Sequence, residues 1–469
     1  MLKMNTNKSN YCARYGLLCL ALAVIFTACA AHAVNYDESK VGTYTLPDPL
    51  IMKSGDTATT TNDWMDLRRN EILQLYKGYI YGSGPDWRNM LDHKREMDPQ
   101  ALGGTAVRKQ IDLEFYNYGP RTNDETVTNL TFHVLLYTPA NNRKPVATFL
   151  CLSFSPNYRE VSDPHVLVYP VWDKKTDILA MPTNIVRGDA EDAWPVQKIL
   201  ARGYGIAMVD YEDFEPDLPD GSGSQHGVRS LYLQPGITNL DPNAWGAISA
   251  WAWGASRVMD YLKTDKEVDA NRIILLGHSR LGKTALWAGA QDTRFAMVIA
   301  SCSGEMGASL ARRDYGETVT TMCKSFPYWF CGNFLDYSND ISDLPVDTHM
   351  LLSLIAPRPL FLNNGSEDRW GDPRGEYEAA IAATPVYHLF GEQGVVTNLP
   401  PDVLTNSMAG SGSLLDSKTL ESYPPPPPDK PIMNNLGFRT HTGGHATLPS
   451  DWDVFLDFAD KYLPASASQ

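Results

Sequence analysis

The chain has 469 residues, 43% of them hydrophobic, which is too long and too apolar for a disordered tail or a disulfide-stapled miniprotein. Its 40 Lys and Arg against 55 Asp and Glu leave a formal charge of −15. That balance speaks against nucleic acid as a partner, because a phosphate backbone calls for a basic face.

Residues 1–33 read as an export signal peptide. Lys3, Lys8 and Arg14 precede an apolar run from Gly16 to Ala31, and Ala31-His32-Ala33 places small residues where an export peptidase reads them. The run is short for a membrane span, and no later stretch reaches 18 apolar residues. Phe26-Thr27-Ala28-Cys29 offers a lipoprotein site as the weaker alternative, with Phe where Leu is usual. The mature protein is expected to be exported, periplasmic or secreted, with no membrane attachment beyond a lipid anchor. Cys151, Cys302, Cys323 and Cys331 remain in it. An oxidising compartment allows one disulfide between two of the last three, and without a Cys-x-x-Cys pair no structural zinc site is expected.

From residue 34 to about 125 the text is polar and rich in turn signals, with helical spacing over Asp63–Tyr76. Leu130–Tyr137 and the continuous apolar run Pro145–Leu152 predict strands. Trp194–Ala201 predicts a helix, Tyr204–Asp210 a strand, and Pro242–Leu262 a long helix with Pro just inside its start. Arg272–Leu276, Lys283–Ala290 and Phe295–Ser301 read strand, helix, strand. Pro359–Asn363 is a further strand and Asp451–Tyr462 a closing amphipathic helix. Strands alternating with helices predict an α/β domain with a mostly parallel sheet covered on both faces. Residues 34–469 are expected to form this one domain. Residues 400–434, with Pro424 to Pro428 in a row, read as a surface insertion in it.

The chemistry centres on Ser279. Ile273-Ile274-Leu275-Leu276 runs into Gly277-His278-Ser279-Arg280-Leu281-Gly282, and a helix follows. A tight strand-to-helix turn of this kind exposes a serine hydroxyl at the carboxyl edge of the sheet, as in the α/β-hydrolase fold. The helix N-terminus supplies N–H groups for a developing oxyanion. A hydroxyl nucleophile needs a base, and the base an orienting acid. In that fold the order along the chain is Ser, acid, His. Of the four histidines after Ser279, His349 and His388 sit in apolar surroundings. His445, in Thr442-Gly443-Gly444-His445-Ala446 just before the last helix, is the expected base, with His441 its rival in the same loop. The acid is expected at the end of the Leu360–Asn363 strand, at Asp368 or Glu367.

Gly277-His278-Ser279-Arg280-Leu281-Gly282-Lys283 resembles the signature of glucuronoyl esterases, carbohydrate esterase family 15. The resemblance extends to Trp251-Ala252-Trp253-Gly254, Arg312-Arg313 with Gly316-Glu317-Thr318-Val319, Phe326–Asn333, Leu351–Pro359, Trp370–Glu376 and Gly443–Ala446. It covers roughly residues 110–462 and is strongest to bacterial members. It implies a serine esterase that cleaves esters of (4-O-methyl-)glucuronic acid on xylan or lignin–carbohydrate fragments; a monomer is expected, and no cofactor, since acyl transfer by a serine triad needs none. It implies Ser279 as nucleophile, His445 as base and Arg280 as a donor to the oxyanion. Lys283, Glu317 and Trp370 match residues that contact the uronate. Arg280 and Lys283 beside the serine suit an acidic sugar better than the acetyl or feruloyl esters of a neutral-sugar esterase. A dead carbohydrate-binding relative would lack the intact Ser279 and His445.

Two positions depart from the pattern. Many members carry a catalytic Glu where this chain has Cys302, so the acid is assigned to Asp368, which other bacterial members match, with Glu305 as second choice. Fungal members bridge the residue before the serine to the residue after the histidine by a disulfide. Here those are His278 and Ala446, so that bridge is absent.

Overall fold

A computed structural model of the chain describes residues 34–85, 91–116, 129–142, 144–176, 178–232, 241–396 and 416–465. The expected signal peptide and residues 400–415 of the expected insertion lie outside them. The strands are β1 Leu91–Gln100, β2 Ala106–Tyr116, β3 Asn129–Pro139, β4 Val146–Ser153, β5 Val171–Asp173, β6 Ile178–Ala180, β7 Gly205–Asp210, β8 Val268–His278, β9 Phe295–Ser301, β10 Leu360–Gly365 and β11 Leu436–His441. Nine of them form one sheet in the order β1-β2-β3-β7-β4-β8-β9-β10-β11, and β5 pairs with β6 as a separate hairpin. The pairs from β1 to β7 along that order are antiparallel. From β7 to β11 every pair is parallel. This is the α/β-hydrolase architecture, and its strand ends bring the loops after β8, β9, β10 and β11 to one edge.

The central strands carry continuous apolar runs, such as Ile273–Leu276 of β8, because both faces are covered there. Ile273 and Leu275 of β8 belong to one buried cluster with Trp251, Met259, Leu286 and Trp287, from the helices Ala247–Leu262 and Arg280–Gln291. Their neighbours Ile274 and Leu276 belong to the opposite cluster with Ile199, Trp452 and Phe455, from the helices Val196–Ala201 and Asp451–Tyr462. Each such buried side chain contributes roughly 1.5–3 kcal/mol from lost apolar surface.

The long helix starts at Ala247 rather than at Pro242. Gly246 is its extended cap, and a Cβ there would lie 2.3 Å from the carbonyl oxygen of Trp329. β1 and β2 fall in the stretch read as polar turns. β2 hides its strand character because Arg108 and Lys109 are buried and paired, Arg108 Nη1 2.6 Å from Asp163 Oδ2 and Lys109 Nζ 2.6 Å from Asp265 Oδ1. The helix expected over Asp63–Tyr76 opens as a π-helical turn, Asp63–Arg68, and continues as an α-helix to Tyr79. All four described cysteines are free thiols, so the expected disulfide is not formed. Cys302, Cys323 and Cys331 face the carbonyls of Ala446, Phe334 and Gly78 respectively.

Of the expected insertion, residues 416–434 are described. The short helix Ser417–Glu421 buries Leu420. After the proline run, Asp429 takes φ 63° and ties itself to β11 and the turn beyond it. Its N–H donates to Thr440 O at 2.8 Å, and its carboxylate accepts from Arg439 Nη2 at 2.8 Å and Thr442 Oγ1 at 2.6 Å.

Candidate active site

The chain turns sharply between β8 and the helix Arg280–Gln291, and Ser279 sits at the corner with φ 58° and ψ −129°. A non-glycine residue held there stores roughly 1–3 kcal/mol of strain. The Ser279 N–H donates to Ser301 O at 2.8 Å, locking the corner to β9. A Cβ on Gly277 would lie 2.0 Å from Leu281 O, and one on Gly282 2.9 Å from Ser303 Cβ. The turn therefore needs glycine at both places, as the motif predicts. The N–H of Arg280, at the first helical position, has no intrahelical acceptor.

β10 and β11 are parallel neighbours, so the loops that leave them lie side by side. Ser366 N donates to His441 O at 2.9 Å and Glu367 N to Gly443 O at 2.7 Å, which joins the two loops. From this pairing His445 Nδ1 meets Asp368 Oδ2 at 2.6 Å. Burial pushes the Asp368 carboxyl up, but the His445 hydrogen bond and charge, with the Gly371 N–H, outweigh it and hold the group below the usual carboxylate range. An ionised Asp368 can only accept, so Nδ1 carries the proton and Nε2 is left as the basic nitrogen. The His445 side chain is 42% exposed and that of Asp368 4%. Among the described residues no hydrogen bond links Ser279 Oγ to His445, a contact often loose in unliganded sites. The His278 ring lies 4.8 Å from the His445 ring, centroid to centroid, beside the position where the resemblance puts a fungal disulfide.

The rivals separate clearly. Glu367 is exposed beside Asp368 and offers only its backbone to the His445 loop. Glu305 is buried with Oε1 unpartnered, and its electrostatic neighbours are Asp347, Glu317 and Lys283 rather than His445. His441 is fully buried, 3.3 Å from Asp451 Oδ1 through Nδ1 and 3.1 Å from Gly444 O through Nε2, which is a structural role. His349 likewise spends Nε2 on Pro47 O. Cys302 takes φ 46°, and its Sγ, an Asp368 oxygen and a His445 nitrogen all lie within 4.8 Å of one another. The two alternative acid positions thus converge on one histidine, and here only one of them bears a carboxylate. These three side chains could also hold a metal ion, but acyl transfer by a Ser–His–Asp arrangement requires none.

Around this centre stand the remaining predicted residues. Lys283, one turn into the helix, is buried; its Nζ donates to Ser303 O at 2.6 Å and lies 3.7 Å from Glu317 Oε2. Glu317 N donates to Trp370 O at 2.9 Å, and Gly316, with φ 66°, packs on the same carbonyl. Lys283, Glu317 and Trp370 therefore belong to one assembly, and the Trp370 side chain stands partly free to solvent. Arg280 lies over the Trp329 ring at 4.8 Å and donates through Nη1 to Asp217. Asp217 has no motif around it in Phe214-Glu215-Pro216-Asp217 and was legible only once the fold brought it to the elbow. Glu376, the last residue of the Trp370–Glu376 match, is given no role by the sequence. It is buried beneath the site and accepts from Gly304 N at 2.7 Å and Asn364 Nδ2 at 2.9 Å.

Comparison with known proteins agrees with this geometry. A family model described as "Glucuronyl esterase, fungi" matches residues 237–391. A carbohydrate esterase from an unknown prokaryotic organism is 38% identical over 437 residues, covering 92% of this chain and 93% of that protein. A 4-O-methyl-glucuronoyl methylesterase from Phanerochaete carnosa is 36% identical, covering 74% of this chain and 72% of its own. Among solved structures, a glucuronoyl esterase from Solibacter usitatus superposes with a TM-score of 0.79 at 38% identity, over 91% of this chain and all of that one. With the elbow, the His–Asp pair and relatives of this identity and coverage in agreement, the chain belongs to the glucuronoyl esterases, carbohydrate esterase family 15.

Proposed function

We propose that this protein hydrolyses esters of (4-O-methyl-)glucuronic acid, such as those joining lignin to xylan, through an acyl-enzyme on Ser279. Ser279 Oγ attacks the ester carbonyl while His445 Nε2 takes its proton. Asp368 holds the imidazole in the required tautomer and stabilises the imidazolium. The Arg280 N–H and guanidinium face the oxyanion, where a charge-assisted donor acts most strongly in a water-poor site. The imidazolium then protonates the leaving alcohol, and water, activated by the same histidine, releases the uronic acid. Lys283 and Glu317, held together, contact the uronate sugar, and Trp370 offers an aromatic face to it. The observation that carries this reading is the His445–Asp368 hydrogen bond at the mouth of a strained serine elbow. Export to the periplasm or the medium, where a plant polymer is met, is part of the same proposal.

The test is a hydrolysis panel of benzyl or methyl glucuronate, the matching galacturonate, an acetylated xylan and a ferulate ester. Glucuronate esters should give the highest kcat/KM, and Ser279→Ala should abolish turnover while leaving the fold intact. Preference for acetyl or feruloyl esters, or turnover near wild type in Ser279→Ala, would overturn the proposal.

A further inference from the structure

An arginine beside a nucleophile is useful only if its guanidinium is held where charge develops. A free side chain of this length carries close to 2 kcal/mol of rotamer entropy. Among the described residues the Arg280 guanidinium makes one hydrogen bond, through Nη1, and the acceptor is Asp217 Oδ2. Its Nε is buried without a partner. Asp217 itself is almost completely enclosed, with 1% of its side chain exposed. Three further donors reach it from two other parts of the chain. The Tyr211 hydroxyl donates to Oδ2 at 3.0 Å, the Tyr328 hydroxyl to Oδ1 at 2.7 Å, and Trp329 Nε1 to Oδ1 at 3.0 Å.

This carboxylate is fixed from behind as well. Glu215, two residues earlier, is gripped by Arg229 through Nε at 2.9 Å, and its carbonyl accepts from Trp251 Nε1 at 2.9 Å. The rings of Trp329 and Phe154 then flank the guanidinium, 4.8 Å and 5.7 Å from Cζ. Arg280 is thus held at one nitrogen and flanked by two rings, while about a third of its side chain remains exposed. An isolated buried carboxylate is costly and stays charged only where it is paired and hydrogen-bonded. Arg280 and the donors hold Asp217 below the usual carboxylate range against its burial. A neutral residue would fill the space more cheaply if the task were only packing.

We infer that Asp217 is a positioning residue for the ester hydrolysis, setting the guanidinium of Arg280 toward the oxyanion through Nη1 and tying the Tyr328-Trp329 segment to the nucleophile elbow. The inference rests on the oxyanion role proposed for Arg280, so the two are tested together but separably.

Steady-state kinetics on benzyl glucuronate should be measured for Arg280→Ala, Asp217→Asn, Tyr328→Phe, and each of the latter two combined with Arg280→Ala. Arg280→Ala should lower kcat by roughly 10²–10³, the scale of one lost oxyanion donor. Asp217→Asn should lower kcat by about tenfold or more with KM changed less than about threefold, because the loss is felt in the transition state. Tyr328→Phe should act in the same direction and less strongly. In the Arg280→Ala background both substitutions should become silent, within about twofold, because they act through that side chain. Full multiplication of the kcat losses in the double variants overturns the positioning role even when Arg280→Ala itself is damaging. Wild-type kcat in Arg280→Ala instead removes the oxyanion role and the inference with it. Should Asp217→Asn fail to fold, the Tyr328→Phe pair gives the same discrimination.

Discussion

Replacing Asp368 by Asn removes one negative charge and keeps the outline of the side chain. The structure dictates how the amide must sit. The Gly371 N–H donates to Oδ1 at 3.2 Å, so the amide oxygen belongs there. The NH2 group then takes the place of Oδ2, which is 2.6 Å from His445 Nδ1. Two donors cannot face each other across that gap, so neutral His445 accepts at Nδ1 and carries its proton on Nε2. In that tautomer Nε2, the nitrogen assigned to take the Ser279 proton, has no free lone pair to accept it. The stabilising charge for the imidazolium is lost as well. A wrong-tautomer substitution of this kind lowers kcat by about 10⁴, or roughly 5.5 kcal/mol at 1.36 kcal/mol per decade. The assay is kcat on benzyl glucuronate with a thermal melt to confirm folding, alongside Glu367→Gln and Glu305→Gln. The latter two should stay within about threefold, since neither carboxylate reaches the imidazole. A folded Asp368→Asn enzyme with kcat within about tenfold of wild type, or a collapse in Glu305→Gln, would refute the assignment.

Cys302→Ala should leave kcat within about threefold, because a neutral thiol does not substitute for the carboxylate; a loss as large as that of Asp368→Asn would put the thiol in the machinery. Arg313→Ala should destabilise the fold by about 3–5 kcal/mol, measured by denaturant unfolding. That arginine lies 2.8 Å from Asp372 Oδ2 and 3.4 Å from Glu378 Oε2, and both carboxylates are buried; unchanged stability would contradict their dependence on it. Glu376 is pushed up to about 8 by burial, from an ordinary value of 4.5. An acid raised in the folded state favours folding fully below about pH 4.5, and that contribution is lost as pH rises to about 8. The melting temperature of wild type should therefore fall relative to Glu376→Gln across that window; parallel profiles would show that Glu376 does not titrate there.

The parts of the fold written in uninterrupted apolar runs were readable directly. β4, β7, β8 and β9 are buried on both faces, so no register had to be chosen between a wet and a dry side. β2 was not readable, because Arg108 and Lys109 look like solvent residues until Asp163 and Asp265 arrive from distant segments to pair with them. The start of the long helix was misplaced because Pro at a first turn is a local signal, whereas Gly246 caps the helix for a tertiary reason, the approach of the Trp329 carbonyl. At the site, Ser279 and His445 are carried by local glycine patterns. The choice among Asp368, Glu367 and Glu305 depended on which way each side chain points, which only the joined loops after β10 and β11 determine. Asp217 is the extreme case: its importance lies wholly in four donors that are remote in sequence or reach it across a turn.

The clamp at Asp429 bears on how this chain can change over evolution. Between the helix Ser417–Glu421, already docked through Leu420, and β11, the polypeptide is held at a fixed gate whose bonds reach Arg439, Thr440 and Thr442. The gate fixes the entry to the turn after β11, so a displacement arising just upstream of Asp429 is not passed directly to the histidine three residues beyond Thr442. The catalytic geometry is thereby insulated from strain in the proline run Pro424–Pro428, which makes that run a natural place to alter the protein without retuning its chemistry.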